Sequence, residues 1–111
     1  MQKARAITKF VRISPYKARK SADLVRGKDV EKAQLLLAHA NNKGARLILK
    51  TLKSAIANAQ SRFDARKDEM IVDEIRVDGG PTLKRSKARN KGGQSPINKR
   101  TSHFTIVVAT K

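Results

Sequence analysis

The chain has 111 residues, with 26 Lys and Arg against 9 Asp and Glu, no Cys, no Trp and a formal net charge of +17. That length suits one small domain, and the missing Cys excludes disulfide frameworks, Cys-type zinc sites and thiol catalysis. No apolar run approaches the roughly 20 residues needed to span a bilayer and no apolar signal core follows the basic start, so a soluble, unprocessed intracellular protein is expected, with a reducing cytosol the easiest fit to the missing Cys.

Residues 3–11 alternate as a first strand, with Ala6, Thr8 and Phe10 toward a core and Lys3, Arg5 and Lys9 outward. Ser14-Pro15 starts a first helix, in which the Ser oxygen can cap free N–H groups and Pro takes the first helical position. Ala18, Ala22 and Val25 follow at helical spacing, and Gly27 stops the helix. Asp29 can cap a second helix through Val30, Ala33, Leu36 and Leu37, near whose end His39 lies and which Asn41-Asn42 interrupts. The third helix runs from about 43 to 63, where Ile48, Leu49, Leu52, Ala55, Ile56, Ala59 and Phe63 form one apolar stripe. Residues 70–78 read as a strand with Ile71, Ile75 and Val77 on one face and a bulge at Asp73. A last strand, 103–110, places Phe104, Ile106 and Val108 on one face and Thr105 and Val107 on the other.

Charge is segregated along this plan. Every acid lies between Asp23 and Asp78, while residues 1–22 carry seven bases and residues 79–111 carry eight. A surface tuned for solubility mixes the signs and keeps a small domain within about eight units of neutral. Segregated bases instead fit a polyanion, because each Lys or Arg placed on a phosphate releases a condensed counterion.

The segment 79–100 concentrates this signal. Leu83 and Ile97 are its only large apolar residues, so it lacks the surface to offset the entropy of ordering and is expected to be mobile until a partner orders it. As two extended arms it would reach roughly 33 Å at ~3.3 Å per residue. Arg85, Lys87, Arg89 and Lys91 then fall two apart on one edge, with Lys84 on the other and Gly92-Gly93 able to reverse the chain.

Other chemistries are poorly supported. His39 and His103 lack a second ligand at metal spacing; in Thr101-Ser102-His103 the adjacent Ser102 hydroxyl and His103 imidazole point to opposite faces of a strand, and no acid is nearby in sequence. Lys91-Gly92-Gly93 lacks the spacing of a phosphate-binding loop. No enzyme, metal or cofactor is expected. The four Phe and Tyr residues are too scattered for a base-stacking platform, so recognition should rest on backbone charge and RNA shape. A nucleoid-type DNA protein would need a recognition helix or wedge. A membrane-surface protein would not carry the Ala-rich packing positions of the third helix.

Five collinear blocks carry a resemblance. Val11-Arg12-Ile13-Ser14-Pro15-Tyr16-Lys17-Ala18-Arg19, Ala22-Asp23-Leu24-Val25-Arg26-Gly27-Lys28, Lys53-Ser54-Ala55-Ile56-Ala57-Asn58-Ala59, Gly80-Pro81-Thr82-Leu83-Lys84-Arg85 and Lys99-Arg100-Thr101-Ser102-His103 resemble the L-twenty-two family of large-subunit ribosomal proteins, of bacterial type. The resemblance covers essentially the whole chain. It implies an α+β domain of three helices packed on a small three-stranded antiparallel sheet, with a long protruding basic β-hairpin. The globular part would be about 1–78 and 101–111, and the hairpin about 79–100.

The implied role is that of a structural constituent binding large-subunit (23S-type) ribosomal RNA beside neighbouring ribosomal proteins. The hairpin would reach the nascent-peptide exit tunnel, and the chain would support assembly without forming a homo-oligomer. Lys84, Arg85, Arg89, Lys91, Lys99, Arg100 and His103 match hairpin positions, and Ser14, Lys17 and Arg19 match the first-helix motif. With the remaining bases Arg5, Lys9, Arg12, Lys20 and Lys87 these make the expected RNA-binding set. Arg89, Asn90, Lys91, Gly92, Gly93 and Gln94 would form the tunnel-side tip facing the nascent peptide. The chain departs from the family where Gly93-Gln94-Ser95-Pro96 replaces a common Arg-Ala-Asp-Arg run, where Ala88 replaces a frequent Pro, and where Asp78-Gly79 replaces an Asp-Glu pair.

Overall fold

The structure, a computed structural model, describes the backbone of residues 2–88 and 94–111 and the side chains of residues 2–84 and 99–111. Strand β1 (Lys3–Val11) is followed by helices α1 (Pro15–Val25), α2 (Val30–His39) and α3 (Lys43–Phe63). After a single 3-10 turn come β2 (Met70–Gly79), β3 (Leu83–Ala88), β4 (Gln94–Lys99) and β5 (Ser102–Thr110). The order β1-β5-β2 is antiparallel throughout, so the expected three-stranded sheet and three helices are present.

Burial explains why these elements assemble. Phe104, Ile106 and Val108 of the central strand are at most 1% exposed, as are Ile48, Leu52, Ala55 and Ala59 of α3. The face read from the helical stripe is therefore the packed face, with Leu49 and Phe63 half-buried at its edge. Ala55 and Ala59 provide the flat surface that lets α3 lie against the sheet. The free edge of β2 is covered by the link between α1 and α2, through Gly27 N–H to the Val72 carbonyl at 3.0 Å and Val72 N–H to the Lys28 carbonyl at 2.8 Å. Gly27 makes this turn at φ +79°.

Two bulges shift faces that simple alternation assigned. In β2 the register slips between Val72 and Glu74, bracketing Asp73 as expected. Its consequence is that Met70 and Val72, rather than Ile71, share the buried side with Ile75 and Val77. In β1 the register slips between Thr8 and Val11, and Phe10 sits at φ +58°. Phe10 is thereby turned out and 61% exposed, contrary to the core position expected for it. It packs edge-on against the His103 ring, centroids 5.0 Å apart, and its N–H donates to His103 Nδ1 at 3.1 Å.

The helix caps also differ from expectation. Ser14 and Asp29 occupy the N-cap positions of α1 and α2, but neither side chain makes a capping hydrogen bond. The Asp29 carboxylate instead pairs with Lys111 Nζ at 3.0 Å. The side chain that does cap is Asn42, whose Oδ1 accepts the Ala45 N–H of α3 at 2.8 Å.

Strands β3 and β4 form a separate antiparallel ribbon, running from Leu83 opposite Lys99 to Ala88 opposite Gln94. The molecule measures 62 × 24 × 16 Å with a radius of gyration of 16.9 Å. A compact chain of this length would have a radius near about 13 Å.

Candidate functional site

The ribbon joins the sheet at a tightly bonded root. Thr101 Oγ1 donates to the Pro81 carbonyl at 2.6 Å, and Gly80 N–H donates to the Thr101 carbonyl at 3.0 Å. Next to it, buried Ser102 donates its hydroxyl to the Ile13 carbonyl at 2.7 Å, tying the segment that precedes α1 to the start of β5. The start of α3 comes to the same place because residue 44 is Gly. A Cβ there would lie 3.2 Å from Ser21 Oγ, 3.4 Å from Ile13 Cδ1 and 3.5 Å from Ala18 Cα.

These approaches create a cleft of about 640 Å³ lined by basic and small polar residues of four segments. Arg12 comes from the turn after β1, Lys17 and Lys20 from α1, Lys43 from the first turn of α3, and Lys99 and Arg100 from the end of β4 and its link to β5. Ser14, Ser21 and Asn42 supply hydroxyl and amide groups, and no lining residue is acidic. All six cations are exposed, and among the described residues none makes an ion pair. The ion pairs fall elsewhere, on Lys3, Arg26, Arg66, Arg76 and Lys111. A second concavity, lined by Glu31, Gln34, Leu35, Ala38, Leu49, Lys53 and Lys67, mixes apolar groups with both signs of charge. The acid-free cleft is thus a feature of that location.

Six of the expected residues, Arg12, Ser14, Lys17, Lys20, Lys99 and Arg100, meet in this cleft. Others lie apart from its lining. Arg5 and Lys9 are exposed along β1, and Lys84 is exposed on β3. Arg19 turns to the sheet, where its Nε and Nη2 donate to the Val77 carbonyl at 3.1 and 3.0 Å. His103 is half-buried at the ribbon root, its Nδ1 accepting from Phe10, so in this arrangement any ring proton sits on Nε2. The side chains of Arg85, Lys87 and Gln94 lie outside the described residues, as do Arg89, Asn90, Lys91, Gly92 and Gly93 entirely.

Lys43 is the cation that reading along the sequence missed. Its only local signal is its place directly after Asn42, the capping residue of α3. Helix starts leave backbone N–H groups unpaired and carry partial positive charge, so Lys43 adds to a field already favourable to anions. Chemically, the arrangement can hold phosphate oxygens by charge-assisted hydrogen bonds. Among the described residues no group of three or more His, Asp or Glu side chains could hold a metal ion. No described helix is long and apolar enough to cross a membrane.

The chain is similar to known proteins. The family model described as ribosomal protein L22p/L17e matches residues 6–109. The chain is also 54% identical over 109 residues to the large ribosomal subunit protein uL22 of Protochlamydia amoebophila (strain UWE25), covering 98% of each chain.

Proposed function

The chain belongs to the ribosomal protein L22p/L17e family, and from that premise we propose that it is a structural constituent of the large ribosomal subunit that binds 23S-type ribosomal RNA through phosphate and shape contacts. The observation that carries the RNA part of this reading is the acid-free cleft, where six cations from four segments stand without protein counter-charges. Like charges gathered in one concavity repel one another and oppose folding, and phosphates are the partner that reverses the sign of that interaction.

The ribbon extends the same surface. It starts at the cleft with Lys99 and Arg100, and its sequence carries Lys84, Arg85, Lys87, Arg89 and Lys91 with no acid. The 62 Å long axis is compatible with a ribbon that enters RNA while the globular part stays at its surface. In this reading residues 89–94 lie toward the nascent-peptide exit tunnel, neighbouring ribosomal proteins flank the helical part, and the protein works in the cytoplasm as a support for subunit assembly. Its role is architectural, with no catalytic step and no cofactor.

The test is sucrose-gradient fractionation of a native lysate, with the protein quantified in each fraction before and after a high-salt wash. Stoichiometric retention on large subunits is the expected result. Release to the top of the gradient, or migration with DNA, would overturn the assignment.

A further inference from the structure

We infer that the cleft at the ribbon root is a preorganised clamp for a short run of RNA-backbone phosphates, a discrete site that shares only Lys99 and Arg100 with the ribbon and its link to β5. The inference rests on the RNA-binding reading above and adds where the strand is gripped. Three features support a clamp over a diffuse basic surface.

First, the backbone carrying the cations is held by hydrogen bonds that exist without RNA. Ser102 to the Ile13 carbonyl fixes the turn bearing Arg12 and Ser14, and the Ser21 hydroxyl donates to Asn42 Oδ1 at 3.0 Å, joining α1 to the start of α3. Thr101 to the Pro81 carbonyl holds the segment that follows Arg100. Second, the volume of about 640 Å³ is that of a ligand-sized concavity and far exceeds one phosphate. Third, the lining selects for phosphate chains. It has no aromatic ring to stack a base and no carboxylate to recruit a divalent cation, while Tyr16 outside it is occupied by Lys20 Nζ at 4.8 Å from its ring centroid. Lys99 and Arg100 line the cleft where β4 ends, so an RNA strand held there lies at the root of the ribbon and the clamp sets where RNA meets it.

The clamp stores like-charge repulsion when empty, so filling it should stabilise the fold by mass action. The experiment measures the thermal midpoint of the full chain at fixed ionic strength, with tripolyphosphate and with a short single-stranded RNA as probes. It compares the natural sequence with a cleft variant (Lys17→Gln, Lys20→Gln, Lys43→Gln) and a control of equal net charge (Lys28→Gln, Lys32→Gln, Lys50→Gln). All six substituted side chains are exposed, so both variants should fold.

The natural chain and the control are expected to gain roughly 5 °C or more with saturating probe. The cleft variant should melt no lower than the natural chain without probe and lose most of that gain. Equal loss in both variants would show diffuse charge and overturn the clamp. Stabilisation by tripolyphosphate alone, with no effect of RNA, would make the occupant a free polyphosphate and overturn it too. A natural chain that responds to neither probe yet stays on large subunits would refute the clamp while leaving the ribosomal reading standing.

Discussion

The Ser21 hydroxyl and the Ala45 N–H share one acceptor, Asn42 Oδ1, at 3.0 and 2.8 Å. One amide oxygen thus caps α3 and fastens it to α1 at the floor of the cleft. Asn42→Ala removes both bonds and is expected to cost about 1 to 2 kcal/mol. The check is the urea midpoint, which should fall with an unchanged denaturant slope. A midpoint equal to that of the natural chain would mean that water replaces the amide at no cost.

Arg19 and Lys17 belong to the same sequence motif but should behave differently. Arg19 spends two donors on the Val77 carbonyl, whereas Lys17 faces the cleft. Arg19→Met should lower stability by about 1 kcal/mol and change the salt slope of RNA binding little. Lys17→Met should leave stability nearly intact and reduce that slope by about 0.7 to 0.9. Paired unfolding and salt-titration curves decide it, and a reversed pattern would assign Arg19 to RNA.

Gly80 is required by the ribbon root. A Cβ at that position would lie 2.5 Å from Thr101 Oγ1 and 3.1 Å from His103 Cε1. The threonine oxygen cannot retreat without breaking its bond to the Pro81 carbonyl. Gly80→Ala should therefore destabilise by roughly 1 to 3 kcal/mol, the usual range for overpacking. In a double-mutant cycle with Thr101→Ala the two effects should be non-additive, and simple additivity would argue that the root yields elsewhere.

Replacing Lys84, Arg85, Lys99 and Arg100 together with Gln should leave the helical domain folded, because the core lies in other elements. Circular dichroism should be unchanged, while the salt slope of RNA binding should fall by about 3 to 4. The variant is expected to enter large subunits poorly in competition with the natural chain. Normal incorporation would remove the ribbon base from the assembly role.

Much of the fold was legible along the chain because helix and strand periodicities report which face is buried. Ile48, Leu52, Ala55, Ile56 and Ala59 repeat at helical spacing and are all buried, and Phe104, Ile106 and Val108 alternate and are buried together. The break at Asp73 was equally visible as an acid inside an apolar alternation. The bulge at Phe10 was not visible, because a left-handed Phe within an alternating strand pattern leaves no compositional mark. Ser14 and Asp29 had the chemistry of caps, yet both helix starts formed without their side chains. For Asp29, the pairing with Lys111 joins residues more than eighty positions apart.

By itself the sequence determined the excess of base, its exclusion of acid from both ends, the apolar faces and the family blocks. Each of these is a local property, set by residue type and spacing. Only the tertiary structure decided that Arg12, Lys17, Lys20, Lys43, Lys99 and Arg100 share one cleft, and that Arg19 leaves the set to bind the sheet. Periodicity specifies which side of an element is buried but says nothing of which element ends meet. That meeting depends on a missing Cβ at Gly44 and on the Ser102 to Ile13 bond, contacts that exist only once the chain has closed on itself.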